Sequence, residues 1–145
     1  MDLMENYENL AHAVLWTWVK DYVAAYVYLK KHTRNSLEDK IKRSESALRK
    51  ATADFGENSK EYKDAKRVLN SYRWKLACFD RAAYTVGNAK FDIEEGQIGF
   101  YCEALGYKFD SADSLIAKLN AMAEDKNERR KILKKGKEVK KLKYD

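Results

Sequence analysis

The sequence predicts an all-α protein: a bundle of about five helices with a long antiparallel, coiled-coil-like hairpin over about 36–86 and a basic C-terminal tail. Three observations carry this. The 145 residues include no proline and only six glycines, so little in the chain interrupts a helix. Apolar residues recur at helical spacing over most of its length. Two consecutive segments show the 3-4 alternation of a heptad seam, joined by a few turn-forming residues.

The first helix is expected from about Leu3 to Lys31. Met4, Tyr7, Ala11, Leu15, Trp18, Tyr22, Tyr26 and Leu29 form one face, and Trp16, Val19, Val23 and Val27 form a second line beside it. A helix this apolar around its girth is central, or lies at an oligomer interface. Lys20 and Asp21 in its middle argue against a membrane span, since each costs about 2.5–3.5 kcal/mol at a bilayer centre. With no cationic leader at the N-terminus, the cytoplasm is the expected compartment, without stable membrane insertion.

The hairpin follows. Ser36 is expected to cap its first helix, with the seam Leu37, Ile41, Ser44, Leu48, Ala51 and Phe55 and a stop at Gly56. Asn58 or Ser59 caps the second, with the seam Tyr62, Ala65, Leu69, Tyr72, Leu76, Phe79, Ala83 and Val86. Its end, from Trp74 to Val86, is expected to pack on the first helix as well. Gly87 and Asn88 suggest a break. A fourth helix, about Ala89 to Leu105, carries Phe91, Ile98, Tyr101 and Leu105, and its Gly96 and Gly99 suit close helix packing. Gly106 ends it. Asp110 or Ser111 starts a fifth helix with Leu115, Ile116, Leu119 and Met122 inward.

Charged residues make up 36% of the chain, above the roughly 25% of an average domain, and the net charge is +6. The excess is local. Residues 126–145 hold ten Lys/Arg against three Asp/Glu, whereas residues 1–125 hold 19 against 20. The expected organisation is therefore a helical domain, 1–125, and a basic tail, 126–145. Within the tail, Ile132, Leu133, Val139 and Leu142 suggest a thin apolar stripe on a basic helix.

No catalytic constellation is evident. His12 and His32 stand 20 residues apart on one helix, about 30 Å, too far to share a metal. No nucleophile elbow or phosphate loop occurs. Asp92, Glu94 and Glu95 are the densest acidic group in the body, but neighbours on a helix diverge and read as a solvated surface. Cys78 and Cys102 read as reduced, packed thiols. The expectation is a protein without enzymatic activity, metal or cofactor. Of the helix 1 aromatics, Trp16, Trp18, Tyr22 and Tyr26 belong to the core, while Tyr28 lies off the main line and is the best candidate for an exposed ring.

The candidate binding residues are Lys126, Arg129, Arg130, Lys131, Lys134, Lys135, Lys137, Lys140, Lys141 and Lys143. They are dense enough to follow a phosphate backbone. Eight are lysine, which suits charge contact better than bidentate reading of bases. DNA or RNA, an anionic membrane surface, and a purely solubilising tail all remain compatible with them.

Two segments resemble small uncharacterised helical proteins encoded by phages and prophages of Gram-positive bacteria. One is Leu10-Ala11-His12-Ala13-Val14 with Val19-Lys20-Asp21-Tyr22, similar to their first helix. The other is Phe100-Tyr101-Cys102-Glu103-Ala104-Leu105 with Leu115-Ile116-Ala117-Lys118-Leu119, similar to their aromatic and closing helices. The likeness spans about 50 of the 145 residues, with Ser36–Val86 standing between its parts as an insertion. It implies a mobile-element accessory protein that binds a host protein or nucleoprotein, with an anti-CRISPR-like inhibitor as one form. The alternative from the residues is a homo-oligomeric assembly protein whose tail binds nucleic acid.

Overall fold

A computed structural model describes the backbone from residue 3 to 144 and the side chains of residues 10 to 139. The described residues form an all-α helical bundle: α1 (Leu3–Lys31), α2 (Arg34–Phe55), α3 (Lys60–Asp92), α4 (Ile98–Leu105), α5 (Ala112–Glu124) and α6 (Lys126–Tyr144), with one 3-10 turn at Glu95–Gln97. The chain divides into two units, Met1–Val27 with Ala83–Asp145, and Tyr28–Ala82.

The smaller unit is the antiparallel hairpin. Thr33, not Ser36, caps α2: its hydroxyl accepts from Ser36 N at 3.2 Å, which starts the helix three residues earlier than the sequence suggests. Gly56 ends α2 with φ at +83°, a conformation that favours glycine. Ser59 then starts α3, its hydroxyl accepting from Tyr62 N at 3.1 Å. Leu37, Ser44, Ala51 and Leu69 are buried along the seam. Phe55, expected there, is exposed, because it occupies the last position of α2. Ala82 is buried and Ala83 exposed, one residue off the expected line.

In the larger unit both apolar lines of α1 are used. Leu15, Val19, Tyr22 and Val23 join Ala89, Ile93, Tyr101, Phe109, Leu115, Leu119, Met122, Ala123 and Ile132 in one core. Tyr22 is fully buried, and its hydroxyl donates to Asn120 Oδ1 at 2.5 Å. One turn on, the Tyr26 hydroxyl donates to Glu124 Oε1 at 2.7 Å. These two rungs fix the register of α1 against α5. Trp18, Tyr22 and Tyr26 stack along α1, with successive centroids 5.6 and 6.4 Å apart.

Four further details differ from the sequence expectation. α3 runs through Gly87 and Asn88 and ends at Asp92. A glycine costs a helix only about 1 kcal/mol, which burial of Ala89 at this end of α3 offsets. The expected long fourth helix is instead the end of α3, an extended Glu94, the 3-10 turn and a short α4. Gly96 and Gly99 serve no close approach, since a Cβ on either would meet nothing within 4 Å. Trp74 is exposed rather than packed, and so is Phe91.

Gly106, at φ +78°, closes α4. The thiol of Cys102 then accepts from Phe109 N at 3.2 Å, holding the loop that delivers Phe109 to the core. Ser111 caps α5 reciprocally with Ser114.

Candidate nucleic-acid interface

The basic segment is not an appendage to the helical domain. It is α6, part of the larger unit, with Ile132 and Val139 buried. Asp125 is the only residue between α5 and α6, and it serves both helices. Its backbone N–H completes α5 by donating to Ala121 O. Its carboxylate accepts from Asn127 N at 2.9 Å and Glu128 N at 3.1 Å, capping α6. Asp125-x-x-Glu128, an acidic analogue of the capping box, is a sequence signal for a helix start at this point, though not for its packing.

Gly136 completes the docking. A Cβ placed on it would lie 2.7 Å from Lys20 Cδ and 2.9 Å from Lys20 Cγ, so only glycine lets α6 rest on the Lys20 stem. Half-buried Arg129 donates to Ala123 O at 3.1 Å, satisfying a carbonyl at the end of α5.

Burial of one side leaves the cations of the other facing outward. At 100° per residue, Lys126, Arg130, Lys134 and Lys137 fall within an arc of about 80°, facing away from Ile132, Gly136 and Val139. All four are exposed, as are Lys131 and Lys135 on the flank. Lys131 pairs with Glu128 at 3.8 Å. The four-residue row spans about 16 Å of helix. The side chains of Lys140, Lys141 and Lys143 lie outside the described residues.

No known family matches the chain, and neither a curated protein nor a solved structure does.

The other candidates are placed as follows. His12 lies on the Phe100 ring (centroids 4.6 Å) and His32 on Tyr28 (4.5 Å). Tyr28, singled out as an exposed aromatic, is half-buried and donates to Lys75 O at 3.1 Å. The exposed rings include instead Trp74, Tyr84 and Phe91 on α3, with Phe55 at the end of α2 and Tyr107 after α4. Glu94 and Glu95 are exposed, and no group of metal-ligating side chains occurs among the described residues. Cys78 and Cys102 are unpaired and half-buried. No described helix is long and apolar enough to cross a membrane.

Proposed function

We propose that this is a non-enzymatic binding protein that contacts nucleic acid, or a nucleoprotein, through α6. The observation that supports it is the row of Lys126, Arg130, Lys134 and Lys137 on the face opposite the buried seam, where the core holds it as a ready-formed cationic edge. A preformed helix loses less conformational entropy on binding than a disordered tail. Its lysine-rich chemistry suits phosphate contact without sequence reading. The resemblance to phage and prophage proteins gives the setting: a mobile-element accessory protein directed at a host nucleoprotein, such as an anti-CRISPR-like inhibitor.

The experiment is fluorescence anisotropy with duplex DNA and with RNA over a salt series. It compares the full chain with a variant in which Lys126, Arg130, Lys134 and Lys137 are all glutamine. Four phosphate contacts on duplex DNA correspond to a log–log salt slope of about −3.6. The expected result is binding with a slope at least this steep, reduced by about that amount in the variant. Equal binding by both chains, or by neither, overturns the reading.

A further inference from the structure

The larger unit contains an open cleft of about 600 Å³ that the cationic edge does not involve. Leu10 and Val14 of α1 form one apolar wall, and both are about half exposed. Trp18, Phe100 and Tyr101 supply three aromatic rings, with Trp18 edge-on to Tyr101 at 5.9 Å. Asp92, the last residue of α3, lines the same cleft, and among the described residues that do so it alone carries a charge. The Tyr101 phenol is held protonated above its usual range, by burial first and by the Asp92 carboxylate second.

Leu10 and Val14 are apolar side chains left in water, and their exposure lies in a concavity rather than scattered over a surface. A volume of this size, mostly apolar with a few polar groups, is what small-molecule sites offer. Aromatic faces attract cations, and a single carboxylate beside them sets the sign of the preferred ligand. We propose that this cleft binds a small organic ammonium compound, its apolar body among Leu10, Val14 and the rings and its cationic head at Asp92. Gly96 lines the same cleft, and a Cβ there would meet no protein atom within 4 Å, so the fold has room for a larger side chain at the cleft's rim.

The test is an NMR titration of the full chain with phenethylammonium and with 2-phenylethanol, a neutral molecule of nearly the same shape. An aromatic face and a solvent-exposed carboxylate each favour a cation by about two- to fivefold. The ammonium is therefore expected to bind about five- to tenfold more tightly than the alcohol, with shifts centred on Val14, Trp18 and Phe100. Asp92→Asn reduces that difference by about two- to fivefold, the carboxylate's share, while leaving alcohol binding unchanged. Gly96→Leu abolishes both, with an unchanged melting temperature showing that the fold persists. Shifts elsewhere, equal affinity for the two probes, or an ammonium preference undiminished by Asp92→Asn overturns the proposal.

Discussion

Gly136 of α6 lies against the aliphatic stem of Lys20 on α1, close enough that a methyl group in place of its hydrogen would overlap Lys20 Cβ, Cγ and Cδ. Lys20 keeps only 19% of its side chain exposed and pairs with Asp21 at 3.7 Å. A cation in the middle of an apolar helix is thus explained by its stem, which α6 covers while the ammonium reaches the surface. The atoms facing Gly136 are those nearest the α1 backbone, so they cannot swing away as the tip of a lysine could.

Gly136→Ala should therefore destabilise the protein although alanine is the better helix former. Overpacking costs about 1–3 kcal/mol, against a propensity gain of up to about 1 kcal/mol. Gly87→Ala is the control: it lies inside α3 with nothing within 4 Å of its Cβ position. That change should raise stability by up to about 1 kcal/mol, or about 2–4 °C in Tm. Thermal melts of the two variants should move in opposite directions.

If α6 is an element of the core, its apolar and cationic residues should separate in experiment. Ile132 is 2% exposed, and Ile132→Ala should cost about 2–5 kcal/mol in a denaturant titration. Lys134→Gln, on the open side, should change stability by less than about 0.5 kcal/mol. Urea midpoints of both variants check this. A chain ending at Asp125 should lose stability as well as binding, so point substitutions are the cleaner probe of the cationic edge.

The helices of the hairpin and the core of α1 were legible because their apolar spacing is set by packing on one partner. Leu37, Leu69, Leu115 and Leu119 were placed inward by periodicity alone and are buried. What local spacing could not show were relationships between distant segments. Gly87 and Gly136 look alike in the sequence, yet the first faces open space and the second faces Lys20. The charge density of residues 126–145 suggested a tail because only four aliphatic residues interrupt it. Two of those, Ile132 and Val139, are buried, enough to dock the helix. The spacing of Lys126, Arg130, Lys134 and Lys137 already puts them on one helix face, and the docking turns that face away from the core. Thr33 was passed over because Ser36 has the better-known capping context, though both residue types serve.

The buried tyrosines predict a loss of stability in alkali. Burial pushes the Tyr22 phenol above its ordinary value near 10, with Tyr26 adding to the rise and the Asn120 hydrogen bond opposing it. A pKa raised in the folded state means the unfolded chain gives up the proton more easily. The stabilisation is thus complete below about pH 10 and is lost as pH rises through the folded value. Tyr22→Phe should cost about 0.5–1.5 kcal/mol at neutral pH for the lost hydrogen bond to Asn120. It should also flatten the fall in Tm between pH 9 and 11 relative to the unmodified protein. Melts across that range check both parts, and parallel curves would show that Tyr22 does not set the alkaline limit.

The hairpin offers a contrast between charge and burial at one end of α2. Arg34 reaches Asp80 Oδ1 on α3 at 3.1 Å and also bonds Glu38 on its own helix. Three residues on, Leu37 is 1% exposed. The ionic group is the more conspicuous, but all three of its members are solvent-exposed to a third or more, so water and salt screen it. Arg34→Ala should cost less than about 1 kcal/mol, and the cost should shrink further at high salt. Leu37→Ala removes apolar contact that salt does not screen, and should cost about 2–5 kcal/mol at any ionic strength. Urea titrations of both variants at low and high salt measure the difference. An Arg34→Ala cost equal to that of Leu37→Ala would mean that the ion pairs, not the heptad seam, hold this end of the hairpin closed.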